Sequence, residues 1–432
     1  MKSDWPTVRL GDHVDACLGK MLDAAKNKGK LEQYLGNSNV RWGEFDLAGL
    51  AEMRFEIGEA ERYSLHPGDL VVCEGGEPGR CAIWNGPKGM KFQKALHRIR
   101  PDASLDHHFL FYWFRHAGRT GQLDAHFTGT TIKHLTGKAV TELRVRRPPL
   151  AEQRAMIDVL KPLDSRIALL RETNATLEAI AQALFKSWFI DFDHVRTSQQ
   201  GLRPTLDGAA AALSPAAALK IEANVSRQAV SNLVASGILL IGDGYRAKNE
   251  ELGKPGLPFV RAGDLESGQI TPTKDHLSAQ AVIGAFSKMA KPGDTAFTSK
   301  GTIGRFAFVD DASGDAVYSP QVCFWRSLRP DIVEPTYLHY WMKSEAFKVQ
   351  VNVVRGQAAI MDYVSLSDQR RMYIDVPAFE IQRRFADIAR PLLTRISSGR
   401  ATASSLAALR DTLLPRLISG QLRVPEVEAL AE

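Results

Sequence analysis

At 432 residues, with 44% hydrophobic and 24% charged side chains, the chain is too long for one ordinary domain and too apolar for a wholly disordered one. A net charge of +6 suits contact with a polyanion over part of the surface, and equally suits a mildly basic cytosolic protein. The four cysteines, Cys17, Cys73, Cys81 and Cys323, lack CxxC spacing and a nearby zinc-finger His pair, which argues against a disulfide framework and a structural zinc site; no apolar run approaches the ~18 residues of a membrane span.

The N-terminus, Met1 to Pro6, has no apolar stretch fit for a signal peptide, so a reducing cytoplasm is the expected compartment. In chain order, about 150 residues of short strand-like runs broken by Gly and Pro come first, among them Asp69–Cys73 and Cys81–Trp84. Near their end, the stretch from His126 to His134 sets Thr128, Thr130, Thr131, Lys133 and His134 around Gly129. Short hydroxyl donors with Lys or Arg suit base edges and phosphates alike, although a plain polar surface loop has the same composition.

From Leu160 a heptad begins. Leu160, Ile167, Asn174, Ala181 and Trp188 occupy one position, and Leu163, Leu170, Leu177 and Leu184 the other. That 3-then-4 spacing is a coiled-coil seam, and a polar residue such as Asn174 on it fixes register at some loss of stability. A helix of ~40 residues is ~60 Å long; the alternative is a helix packed only on its own domain. Thr197–Leu219, rich in Gly, Ala, Ser and Pro, reads as a linker with a short Ala-rich helix. Ser226–Leu233, running into Gly237-Ile238-Leu239, has the outline of a helix-turn-helix recognition helix, a pattern common by chance. Strand-like runs resume at Thr295–Thr298 and Arg305–Val309, and Arg355–Asp362 forms a second polar loop. A second stripe then carries Leu392, Ile396, Ala403, Leu406, Leu413 and Leu417, with Gly399 and Arg410 as weak points.

These two series are one series met twice. Pro67, Gly68, Asp69, Gly76, Gly79, Arg80 and Ala82 fall on Pro292, Gly293, Asp294, Gly301, Gly304, Arg305 and Ala307, a shift of 225. Tyr112-Trp113 matches Tyr340-Trp341 at 228, and Gln153-Arg154 matches Gln382-Arg383 at 229. Such an ordered series marks a tandem duplication, so two similar domains do two similar jobs. Their apolar frames match while their polar loops differ, as two domains reading different targets require.

Enzyme machinery is missing from the motifs. There is no phosphate-loop G-x-x-x-x-G-K-[ST], no HExxH, no GxSxG and no strand-following GxGxxG. The (N/D)PP(Y/F) tetrapeptide of amino-methyltransferases is absent too. Glu74, Glu77 and Asp69 could cluster, but their counterparts are Ser299, Thr302 and Asp294, so a turn-forming aspartate is the better account than a metal site. Lys91, Lys94, Ser299, Lys300, Gln321, Arg355 and Gln357 complete the candidate DNA-binding set with the Gly129 loop, while Arg80 and Arg305 read as structural.

With the repeat in hand, the chain resembles the specificity subunits of type I restriction–modification systems across nearly its whole length. The matching pieces are Trp5–Asp12, the Pro-Gly-Asp strands, Gly129–Leu135, Pro148–Arg154, Leu177–Asp193 and Leu409–Leu422. The resemblance implies an α+β fold in which two target recognition domains of mixed and antiparallel β-structure with helices are joined by two long antiparallel coiled-coil spacers. On that pattern the domains are 1–147 and 223–376, the spacers 148–195 and 377–425, and the linker 196–222. It further implies a non-catalytic DNA reader of a split site that binds two methyltransferase subunits and, through them, endonuclease subunits. S-adenosylmethionine, ATP and Mg then serve those partners, and this chain holds no cofactor or metal. The usual Trp-x-x-x-x-Leu-Gly-Asp opening is replaced in the second domain by Leu233–Tyr245. A DNA-binding scaffold of another phage-defence complex is the alternative, and an enzyme with unrecognised motifs a third reading.

Overall fold

The computed structural model describes residues 5–21, 27–191, 225–266, 268–271, 273–354, 356–357 and 362–423. The expected linker at 196–222 lies outside them, as does Arg355. The chain divides into two compact units, Met1–Leu169 with Ala403–Glu432, and Leu170–Thr402.

In the first unit, β1 (Thr7–Arg9) pairs antiparallel with β9 (Arg144–Arg146). A four-stranded antiparallel sheet runs in the order β2 (Val14–Leu18), β8 (Leu96–Pro101), β5 (Leu70–Cys73), β6 (Cys81–Ile83). A smaller sheet sets β3 (Lys30–Leu35) between β4 (Ala51–Phe55) and β7 (Lys91–Phe92). Strand β5 is an unbroken apolar run because both of its faces are covered. Leu70 and Val72 enter the core shared with helix α1 (His107–Arg119), and Val71 and Cys73 enter another with Leu35 and Phe92. Asp106 caps α1, accepting from His108 N at 2.8 Å. A short helix, α2 (Gly137–Glu142), leads to β9.

The second unit repeats this plan. Strand β10 (Ser226–Ala229) pairs with β22 (Tyr373–Val376), and β11 (Leu239–Asp243), β19 (Val322–Ser327), β16 (Thr295–Thr298) and β17 (Phe306–Phe308) form the four-stranded sheet. Strand β12 (Gly256–Val260) lies between β15 (His276–Ser278) and β18 (Val317–Tyr318), as β3 does between β4 and β7. One small hairpin is added, β13 (Leu265–Glu266) with β14 (Gln269–Ile270), and another, β20 (Gly356–Gln357) with β21 (Asp362–Tyr363), stands where the first unit bridges Thr128 to His134. The helices are α4 (Val230–Ala235), α5 (Ala279–Gly284), α6 (Pro335–Lys343), α7 (Glu345–Val354) and α8 (Leu366–Arg370). Strand β11 sits at a shift of 225 from β2, so Leu233–Tyr245 replaces the first unit's opening without moving the frame. The helix-turn-helix outline is not realised. Ser226–Ala229 is a paired strand, and α4 is only six residues long.

Asp69 and Asp294 do more than make a turn. Each caps its own loop, accepting from His66 N at 2.7 Å and Lys291 N at 3.0 Å. Each also holds an arginine on the neighbouring strand by a two-pronged bond, Asp69 with Arg100 at 2.7 and 2.8 Å, Asp294 with Arg326 at 2.6 and 2.7 Å.

The long helices are α3 (Leu150–Phe189) and α9 (Phe379–Ile418), each 40 residues and offset by 229. A buried glutamine staples each to its own unit. Gln153 accepts from Asp106 N and donates to the carbonyls of Ser104 and Pro148; Gln382 does the same with Glu334 N, Ile332 O and Pro377 O. In each unit the start of one long helix packs antiparallel to the end of the other. In the first, Leu160 shares a core with Leu414 and Leu417; in the second, Ala181, Phe185 and Trp188 share one with Phe385 and Ala389. On α3 the seam residues Leu160, Ile167, Leu170 and Asn174 are buried and Leu163, Leu177 and Leu184 half-buried. On α9, Ile396 and Leu417 are buried and Leu392, Leu406 and Leu413 half-buried.

The two weak points expected on α9 prove to be fitted pieces. A Cβ on Gly399 would lie 2.5 Å from Asn174 Oδ1, so the seam's polar residue faces the one side chain that leaves it room. Arg410 is buried and donates to Asp164 at 2.5 Å and to Asp411 at 2.8 and 2.7 Å.

Candidate nucleic-acid interface

The first polar loop is a tight hairpin. Thr128 and His134 exchange both backbone bonds, at 2.9 and 2.8 Å. Gly129 has φ +92°, and a Cβ there would sit 2.3 Å from Ile132 O, so the turn requires glycine. Thr128, Thr130, Thr131, Lys133 and His134 are all exposed, with the Lys133 ammonium 5.6 Å from the Phe127 ring.

The hairpin is tied to the sheet by a relay of backbone bonds. Leu135 N donates to Glu74 O at 2.7 Å, and Glu74 N donates to Ala95 O at 2.8 Å. On the other side the buried His97 ring, by Nε2, meets Leu135 O at 2.8 Å; burial lowers its pKa, so a neutral ring donates. Across the turn, Gly75 approaches so closely that a Cβ would lie 3.2 Å from His134 Nδ1. Lys94 is half-buried in the loop that ends in Ala95.

The second unit has the same relay with other side chains. Val364 N donates to Ser299 O at 2.9 Å, and Ser299 N to Gln321 O at 3.0 Å. Lys300 bridges to Tyr363 beside the β20–β21 hairpin, which contains Gln357. The fold thus gathers Ser299, Lys300 and Gln321 around one hairpin, and Lys94 near the other.

Two candidates leave the set on burial. Lys91 is 4% exposed, its ammonium held by Ala60 O at 3.0 Å and Ser64 Oγ at 2.6 Å, which makes it an internal prop. Ser299 is buried and turns its hydroxyl to Gln321 O, so its backbone does the work. Arg80 donates to Asn37 O and Glu77, a structural role. Glu74, Gly75, His97 and Tyr363, which anchor the hairpins, had no sequence signal beyond the alignment of Glu74 with Ser299. Asp106, His107 and His108 bring ligand atoms within 4.8 Å of one another, but Asp106 is already taken as the helix cap.

Two units of one plan, each presenting a different polar hairpin, frame the comparison with known proteins. Residues 2–179 match the family of the type I restriction modification DNA specificity domain. The MjaIX type I specificity subunit of Methanocaldococcus jannaschii is 24% identical over 98% of this chain and 95% of its own length. Residues 2–179 thus carry that DNA specificity domain, and the likeness to type I specificity subunits runs along nearly the whole chain. The HindI specificity subunit of Haemophilus influenzae is 25% identical over 97% of this chain and all of its own. The crystal structure of a type I S subunit from M. genitalium shares the fold, with a TM-score of 0.54 at 18% identity over 96% of both chains. A specificity subunit is the non-catalytic, DNA-recognising chain of its system, and the long paired helices fit a coiled-coil spacer. Among the described residues no helix is long and apolar enough to cross a membrane.

Proposed function

We propose that this specificity subunit reads a split DNA site, with the Thr128–His134 hairpin addressing one half and the 355–362 loop the other. Thr128, Thr130, Thr131, Lys133, His134 and Lys94 serve the first half; Lys300, Gln321, Arg355 and Gln357 serve the second. One observation supports the reading: the same backbone relay holds both hairpins, while the residue types in the two segments differ. The functional boundaries on this reading are 1–147 and 223–376 for recognition, 148–195 and 377–425 for the spacers, and 196–222 for the linker.

The paired helices α3 and α9 serve a second task, the scaffolding of two methyltransferase subunits and, through them, endonuclease subunits in the cytoplasm. Adenine N6 methylation with S-adenosylmethionine, and ATP- and Mg-dependent cleavage, fall to those partners; no cofactor is assigned to this chain. The test is a swap of residues 1–147 for the corresponding segment of a relative, followed by methylome sequencing. One half-site changes, and the other half and the gap stay. If both halves change together, the two hairpins form one composite surface and independent reading is wrong.

A further inference from the structure

The β1–β9 pair of the first unit gathers cations that its counterpart lacks. Residues two apart on a strand share a face, so Thr7 and Arg9 stand with Arg146 and Arg144, Thr7 opposite Arg146 and Arg9 opposite Arg144. Like charges directly opposite repel. Arg9 is answered by Asp12 at 3.1 Å and Glu142 at 3.8 Å. Arg146 gives one Nη to Ser419 O at 3.2 Å and keeps its other donors. The Arg144 guanidinium is exposed and has no protein partner among the described residues. In the second unit the corresponding strands set Arg227 opposite Asp375, and the charges cancel.

Beside this face lies a cavity of about 440 Å³. Thr7, Arg144 and Arg146 line one side of it, with His116, Gln122 and His126 around the rest, and no carboxylate is among the lining side chains. His116 is only 8% exposed, yet its ring makes no hydrogen bond among the described residues. Burial favours its neutral form, which keeps one ring N–H to donate. A guanidinium fork beside neutral hydroxyl, amide and imidazole donors is the chemistry that holds a phosphate. The volume exceeds what a lone ion fills and admits a phosphodiester with part of its sugar.

We propose that this cavity holds a backbone phosphodiester of the DNA whose bases the Thr128–His134 hairpin reads. His126 is two residues from Thr128, so one short segment lines the cavity and begins the hairpin. Phosphate contacts position a protein on the duplex and base contacts specify the sequence. The cavity therefore sets the register in which the hairpin meets its half-site. The inference rests on the reading of that hairpin as a DNA contact.

The test uses the assembled complex of specificity and methyltransferase subunits, duplexes carrying the native site, and duplexes altered in one half. Arg144→Ala and, separately, His126→Ala are compared with the hairpin variant Lys133→Ala. Arg144→Ala is expected to weaken all duplexes by the same factor and to flatten the slope of log K against log salt by about one. Half-site preference stays as it was, and Arg144→Lys restores most of the slope. Lys133→Ala shifts preference in one half. An unchanged slope in Arg144→Ala and unchanged affinity in His126→Ala, with Lys133→Ala still active on preference, overturns the cavity and keeps the hairpin. If Lys133→Ala alone is silent, the hairpin reading fails, and the cavity keeps a backbone phosphodiester but loses its role in setting that hairpin's register. Impaired methyltransferase binding by Arg144→Ala, with an unchanged slope, overturns the proposal and gives the cavity to an acidic protein segment.

Discussion

The two units join their long helices to the same frame with opposite chemistry. In the first, Asp164 receives Tyr112 Oη at 2.9 Å, Arg410 at 2.5 Å and Arg115 at 3.5 Å, and Asp411 receives Arg119 at 2.6 Å. In the second, rings of Phe185, Phe189, Tyr337, Tyr340 and Phe385 pack at 4.9–6.4 Å. Tyr340 and Lys343 are the counterparts of Tyr112 and Arg115, and Lys343 finds its acid in Glu178, further along α3 than Asp164. A junction can be remade from ions or from rings so long as it stays filled and its polar groups stay paired. What does not vary is the set of contacts that close backbone bonds, namely the Asp–Arg clasp, the glutamine staple and the hairpin relay.

The clasp should separate the units most. Asp294→Ala strands a nearly buried Arg326 charge and should lose about 3–5 kcal/mol, read by urea denaturation. Asp69→Ala should lose clearly less, because Arg100 is 33% exposed and can hydrate where Arg326 is 11% exposed. Equal losses would break the distinction. The staples should instead match. Gln153→Ala and Gln382→Ala each leave a buried N–H and two carbonyls unpaired, and each should lose about 2–3 kcal/mol. A twofold disparity between them would mean that the shared bonds do unequal work.

The seam gives a smaller effect. Gly399→Ala presses a methyl onto Asn174 and should lose about 1–3 kcal/mol, and adding Asn174→Ala should recover most of it. Failure of that recovery in a double-mutant cycle would show that the glycine answers to something else.

Acid gives the smallest. In the first unit His97, His108 and His116 have pKa values lowered chiefly by burial, His108 to about 4 with help from His107 and Lys161. The second unit has His339, lowered by the same cause. The unfolded chain binds these protons from about pH 6.5 downward and the folded chain does not. Stability is therefore full above that value and falls as pH drops toward 4, by about 1 kcal/mol for His108 at pH 5.5. His108→Thr, which installs the residue of its counterpart Thr336, should flatten this part of the melting-temperature profile. An unchanged profile would show that His108 titrates alike in both states.

Much of this was legible in the residues. The Pro-Gly-Asp strands, the heptads and the polar loop around Gly129 are local or periodic, and such patterns survive being read one dimension at a time. The duplication made them legible twice, and predicted that the frames would match where the polar loops differ. Ser226–Leu233 misled because a few apolar spacings fit a helix, while pairing with Tyr373–Val376 decides that the segment starts as a strand. Tertiary structure alone decided the rest, because the deciding partners lie far off in the chain. Lys91 and Lys94 are three residues apart and read alike, yet only the approach of Ala60 and Ser64 buries the first. Gly399 looked like a gap in the stripe until Asn174, 225 positions earlier, was set against it. Arg410 looked like a charge on an apolar seam until Asp164 met it. Sequence determined that two like domains alternate with two long helices. Contact across the fold decided which polar residues are tied into the structure and which remain exposed.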